Sequence, residues 1–282
     1  MRPAQFRFQS IAKPEEGFHS LKEDAVWVEQ MIGLFGISDG AGGTGVCADR
    51  WANYLLENLP DAAIEDFGTF KEWQNGIWET YFDETANYLK SNSPDALSKF
   101  YHEGSSATLA VVWEREEYLK AITFGDAVCL HFSGNTRRLE HANIRLPDFL
   151  NNPFLLNCKE EPLSNGFWNE AIAPEKDDVL ILASDAIGCF LLGLYALFHQ
   201  GEADLSDDIQ KVLKSPYRQA NMLENQEQGI SRNPETTWAS IMEGFWEALE
   251  TEGNFRAYTD LYLKENALAL DDYSAIMLRF QE

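Results

Sequence analysis

Leu34-Phe35-Gly36-Ile37-Ser38-Asp39-Gly40-Ala41-Gly42-Gly43 decides how this chain is read. Its apolar start has the make-up of a buried strand, and the strand stops abruptly at Ser-Asp-Gly. The same device returns in Val179-Leu180-Ile181-Leu182-Ala183-Ser184-Asp185-Ala186. Two more carboxylate-bearing strand ends join them: the apolar run 118–124 leads into Gly125-Asp126-Ala127, and Asp271-Asp272 precedes a final run at 274–280. One aspartate at a strand end usually caps the turn or helix that follows. Four such ends would gather several anions in one place. Crowded like charges raise one another's pKa and are costly unless a cation lies among them. Hard divalent ions such as Mg²⁺ or Mn²⁺ take such oxygen ligands.

Two other motifs overlap the first of these ends. Gly40-Ala41-Gly42-Gly43-Thr44-Gly45 has the G-x-G-x-x-G form of a dinucleotide-binding turn. That unit needs an apolar strand directly after its helix, and the chain offers Pro60-Asp61-Ala62-Ala63-Ile64-Glu65-Asp66 instead. Gly36-Ile37-Ser38-Asp39-Gly40 spells the G-x-S-x-G nucleophile elbow, but a glycine-rich stretch stands where that elbow passes straight into a helix.

Working outward, strand-like runs occur at 25–29, 31–37, 107–113, 118–124, 128–132, 179–183 and 274–280. Helical periodicity marks 44–59, 69–90, 187–200, 207–213 and 235–250. Hairpins are expected around Gln30 and at Asp126-Ala127. This order lacks the steady β-α alternation of a doubly wound sheet, so it predicts an α+β fold of antiparallel sheet layers covered by helices. Residues 140–174, rich in Asn and Pro without a sustained period, read as a long loop or flap. Residues 206–265 read as a helical insertion before the last strand, and 1–282 as a single domain.

The composition sets outer limits. With 46 Asp plus Glu against 22 Lys plus Arg the net charge is -24, which repels phosphate backbones and anionic headgroups, so neither nucleic acid nor a membrane surface is an expected partner. At 45% hydrophobic residues the chain has enough apolar side chains for a large core. Cys47, Cys129, Cys158 and Cys189 are widely spaced, with no C-x-x-C pair, and the opening residues lack the apolar core of a signal peptide; both point to the cytoplasm. The apolar stretch 179–198 is long enough to span a bilayer, but it carries Asp185, Gly188 and Gly193 and has acidic flanks, so it reads as a buried strand followed by a buried helix.

Taken in order, these segments resemble the metal-dependent protein phosphatase family, type 2C (PPM), in its bacterial form. Lys22-Glu23-Asp24 is similar to the family's early N-E-D, and Asp39-Gly40-Ala41-Gly42-Gly43 to its D-G-x-G-G. Gly104-Ser105-Ser106-Ala107-Thr108 resembles its G-S-T-A. Gly125-Asp126-Ala127, Ser184-Asp185-Ala186 and Asp271-Asp272-Tyr273-Ser274 stand where it has G-D-S, S-D-G and D-D-x-S or D-N-x-T.

The resemblance implies a four-layer α-β-β-α sandwich with two Mn²⁺ or Mg²⁺ ions at one end. Asp39 would bridge both ions, Asp185 and Asp271 would hold the first, and the Gly40 carbonyl with Glu23 and Asp24 the second. Asp126 with Asp185 would form the third site of bacterial members. The implied activity is hydrolysis of phosphoserine and phosphothreonine in proteins by a metal-activated water attacking in line, opposite a cognate kinase. Three departures stand out. His19 occupies the position of the family's phosphate-binding Arg, with Lys22 as a substitute; Ala41 stands where eukaryotic members often carry a His that bacterial members commonly lack; and Ala186 replaces a glycine. His19 keeps open a low-activity regulatory or binding module as the alternative; hydrolysis of a small phosphoester is a third reading.

Overall fold

The computed structural model describes residues 3–14 and 22–281. Its strands form two five-stranded antiparallel sheets. The first sheet contains β1 (Pro3–Ile11), β7 (Val128–Phe132), β8 (Leu139–Ala142), β11 (Val179–Ala183) and β12 (Tyr273–Phe280), in the order β1-β12-β11-β7-β8. The second contains β2 (Ala25–Glu29), β3 (Leu34–Ser38), β5 (Leu109–Glu114), β6 (Leu119–Phe124) and β10 (Phe167–Ile172), in the order β10-β6-β5-β3-β2. A small third sheet joins β4 (Ser106–Ala107) to β9 (Leu156–Asn157).

The central strands are apolar on both faces, which is why they read as continuous runs. Phe35, Ile37, Ala110, Val112, Leu180, Leu182, Ile276 and Leu278 fill the space between the sheets. The alternate residues Leu109, Val111 and Trp113 turn outward under α1 (Ala48–Glu57), α2 (Phe67–Asn92) and α3 (Pro94–Glu103). On the first sheet Ile181, Tyr273, Ala275 and Met277 turn outward instead. They meet α4 (Asp185–Phe198), α5 (Ala203–Leu213), α6 (Arg218–Arg232), α7 (Trp238–Ala248) and α8 (Glu252–Lys264). Three apolar layers thus separate four structural ones, the α-β-β-α sandwich that the family resemblance implies.

Two expectations need correction. The run 118–124 and the run 128–132 do not form a hairpin: β6 pairs with β5 and β10, whereas β7 pairs with β11 and β8, so Gly125-Asp126-Ala127 crosses from one sheet to the other. A tight two-strand ribbon would have left one face of each strand bare, and both faces here are buried. Residues 140–174 are not all loop, since they include most of β8 and all of β10, the sheet-edge strands whose half-exposed polar residues hide their pairing. The rejection of a dinucleotide turn holds, since the helix after Gly45 leads to α2 and no parallel strand. The 206–265 segment is helical throughout most of its length, as α5 to α8. No helix among the described residues is long and apolar enough to cross a membrane.

Candidate metal centre

One end of the sandwich collects the carboxylates. Ala25 pairs with Ser38, which sets Asp24 and Asp39 side by side just past the ends of β2 and β3. On the other sheet Ala183 pairs with Ala275 and Ser184 N–H donates to the Ser274 carbonyl at 3.0 Å, so Asp185 and Asp271 leave β11 and β12 at the same end. Asp126 sits in the crossover that joins the sheets. Gly125 has φ +85, and a Cβ there would meet the Phe154 carbonyl oxygen at 2.5 Å, so only glycine makes this turn beneath the 153–155 loop.

The loop after β3 is held from two sides. Thr108 N–H donates to the Asp39 carbonyl at 2.8 Å and Ala41 N–H to the Ser106 carbonyl at 2.9 Å, which fastens the Asp39–Ala41 backbone to the Gly104–Thr108 segment. On the other side the Glu23 carboxylate accepts from Gly42 N–H. A Cβ on Gly40 would lie 2.6 Å from the Glu23 carbonyl oxygen, so the backbone packs at a distance only glycine allows. Ser38, the serine of the elbow-like motif, is fully buried and donates to the Thr108 carbonyl at 2.8 Å, so it does not face a cleft as a nucleophile. Ala186 lies in the first turn of α4 and is absent from the positive-φ positions, so that position does not require the glycine of the family pattern.

Electrostatics shows how close the acids stand. Burial and then the neighbouring charges of Asp24, Asp185, Asp126 and Asp271 push the Asp39 carboxyl well above its ordinary value. Burial, opposed by a hydrogen bond from Ser274 and reinforced by Asp272, raises Asp24 to about 7. Asp126 rises to about 7 through burial and the charge of Asp185, and Asp185 to about 6 through burial and the charge of Asp271, against the Ala186 N–H of its helix N-terminus. Asp271 and Glu23 are raised as well, chiefly by burial.

Asp272 does something different from its neighbour. Its two carboxylate oxygens accept from Lys13 N–H at 2.8 Å and Glu23 N–H at 2.6 Å, so it ties the segments before β2 to the end of β12. The structure therefore brings together Asp24, Asp39, Gly40, Asp126, Asp185 and Asp271, with Glu23 at the Gly42 border. Lys22 is half-buried just ahead of them, and His19 lies outside the described residues. Among the described residues, Lys13 acts on Glu23 and Asp271, and Arg218 on Asp185 and Asp271. Arg218, at the start of α6, also lines a cleft of about 310 Å³ with Asp126, Asp185, Phe149, Leu150 and Pro153. Sequence reading missed it, because nothing local marks an arginine in a polar helix as facing a distant strand end.

The cluster fits a hard divalent cation. Asp24 is 1% exposed, yet its Oδ2 has no hydrogen-bond donor among the described residues. A buried anionic oxygen without a donor is costly and is satisfied by a cation. Around it the potential ligands are all oxygen, the preference of Mg²⁺ and Mn²⁺ over softer ions.

No protein-family profile matches the chain, and no curated protein matches it either. Solved structures do. PppA, described as a key regulatory component of T6SS in Pseudomonas aeruginosa, aligns at 16% identity over 98% of this chain and 97% of its own, with a TM-score of 0.52. The PPM Ser-Thr phosphatase MsPP from Mycobacterium smegmatis, solved in complex with cacodylate, aligns at 10% identity over 100% of both chains, with a TM-score of 0.50. The chain thus has the fold of the PPM serine/threonine phosphatases, over its whole length.

Proposed function

We propose that the chain is a metal-dependent phosphoserine/phosphothreonine protein phosphatase. The observation that supports this reading is the convergence of Asp24, Asp39, Asp126, Asp185 and Asp271 from both sheets, together with a buried Asp24 oxygen that has no donor among the described residues. Asp39 would bridge two Mn²⁺ or Mg²⁺ ions, with Asp185 and Asp271 on one and the Gly40 carbonyl, Glu23 and Asp24 on the other; Asp126 and Asp185 would hold a third. Such ions supply Lewis acidity and bring the pKa of water toward neutrality. The protein's own contribution is to hold its carboxylates level at the ends of two rigid sheets and to aim one cation into the cleft. Arg218 takes that role: its planar guanidinium stays charged and matches phosphoryl oxygens in pairs, as the family's arginine would at the position of His19. Phe149, Leu150 and Pro153 supply apolar lining to the same cleft. The substrate would be a phosphorylated protein made by a cognate kinase, in a reducing cytoplasm that suits four unpaired cysteines.

Mn²⁺-dependent hydrolysis of p-nitrophenyl phosphate and of a phosphothreonine peptide tests this. Asp39→Asn should lower both rates by about 100-fold or more, the loss of roughly 3 kcal/mol of charge stabilisation. Equal rates in the two forms would sink the reading. His19 and the fold shared with PppA, a protein described as regulatory, favour a second reading as a low-activity binding module. His19→Arg separates them: a large gain marks a weakened enzyme, and inactivity in both forms marks a binder.

A further inference from the structure

A second group of potential ligands lies toward the other end of the first sheet. His131 of β7 and His141 of β8 are register partners, and their Nδ1 atoms face each other at 3.0 Å. The register slips between His131 and Phe132, leaving Glu140 as the extra residue of a bulge. Successive strand residues normally point to opposite faces, and a bulge is the device that re-aims one of them. Here it brings the Glu140 carboxylate and the two imidazoles together, with ligand atoms all within 4.8 Å of one another. His131 lies five residues from Asp126, about 16 Å along an extended strand, so this group is separate from the aspartate cluster.

His131 is also locked in one orientation. Its Nε2 lies 2.9 Å from Asp178 Oδ2, and that buried carboxylate already accepts from Gly134 N–H at 2.7 Å and Glu175 N–H at 2.7 Å. A carboxylate that collects backbone donors is the acceptor, so His131 donates from Nε2 and keeps its Nδ1 lone pair for whatever lies toward His141. A carboxylate behind a histidine, fixing its tautomer and raising its basicity, is the arrangement found behind metal-ligating imidazoles. Two imidazole nitrogens on a tetrahedral ion at about 2.05 Å stand about 3.3 Å apart, a few tenths of an ångström beyond the spacing seen.

We propose that His131 Nδ1, His141 Nδ1 and the Glu140 carboxylate form a binding site for one borderline divalent cation, Zn²⁺ by its preference for two imidazoles and a carboxylate, with a solvent position left open. The ion staples the edge strand β8 to β7 and, through Asp178, to the start of β11. Hard Mg²⁺ belongs at the aspartates and leaves this nitrogen site alone.

The experiment uses the full chain, stripped of metal and resaturated with Mg²⁺, and titrates it with Zn²⁺ by calorimetry, with diffraction data collected at the zinc edge. One equivalent should bind, with an anomalous peak between His131 and His141, and Zn²⁺ should raise Tm. His141→Gln, at a half-exposed edge position, should abolish the peak and the Tm rise, and Asp178→Asn should weaken binding by about 10- to 100-fold. If Asp178→Asn does not fold, His141→Gln alone decides. Zn²⁺ titrations identical in wild type and His141→Gln, or a peak confined to the Asp39–Asp185–Asp271 cluster, would overturn the proposal and leave the two histidines as a simple hydrogen-bonded pair.

Discussion

Asp271 and Asp272 are chemically the same residue one position apart, and the chain uses them for opposite purposes. Consecutive residues at a strand entry point to opposite sides, so one carboxylate joins the anionic cluster while the other takes the backbone N–H groups of Lys13 and Glu23. Sequence alone could mark the pair as a ligand source but not tell which member does which task. Arg218 was invisible for a related reason: its partners, Asp185 and Asp271, belong to other elements. If it holds the phosphoryl group, Arg218→Ala should raise KM for a phosphothreonine peptide about 10- to 100-fold, the worth of a hydrogen bond to a charged group at ~1.5–3 kcal/mol, with kcat little changed. Arg218→Lys should recover only part of the loss, since an ammonium lacks the planar fork. Steady-state kinetics at saturating Mn²⁺ reads both.

Among the elements, legibility follows burial. The strands β3, β5, β11 and β12 are buried on both faces and stand out as apolar runs, whereas β1, β8 and β10 lie at sheet edges and carry polar residues that blur the pattern. The helix α3 is hidden for the same reason, because it buries only a narrow stripe, and the separate bounds of α6 and α8 within the helical 206–265 segment are blurred likewise. In contrast, α4 is buried almost throughout and was plain in outline. It packs so closely on β7 that a Cβ at Gly188 would fall 2.5 Å and 2.7 Å from the two methyls of Val128. A β-branched side chain in a strand cannot turn aside. Gly188→Ala should therefore destabilise the fold by about 1–3 kcal/mol, even though alanine is the better helix former. Urea denaturation checks this, and a gain in stability would show that the two layers have room to part.

At the scale of the molecule, the net charge of -24 conceals two populations of acid. Most carboxylates lie on a solvated surface, and a few are held together against their mutual repulsion at the ends of the sheets. For the second group the metal-free fold carries a definite pH dependence. Asp24 and Asp126 move from 3.8 to about 7 and Asp185 from 3.8 to about 6, so between these values the folded chain retains protons that the unfolded chain releases. Their contribution to stability is complete below about pH 4 and is lost as the pH climbs toward 7. In EDTA, Tm should fall between about pH 4 and pH 7 and level off above. With Mn²⁺ present the fall should flatten, because bound cations offset the anions and bind only the folded state. A fall unaffected by Mn²⁺ would assign it to the surface charge instead.

The sequence by itself determined which segments are strands buried on both faces and that aspartates end them, since strand periodicity and the polarity of neighbours are local properties. The antiparallel, helix-covered class followed from their order. Only the tertiary structure decided that β6 and β7 belong to different sheets, that Asp24 Oδ2 is buried with no donor among the described residues, that Asp272 is a latch, and that His131 faces His141 across a bulge. Each of these depends on a distance between residues far apart along the chain. Such distances are set by how the sheets pack and by which strand finds which neighbour, and no local pattern records them.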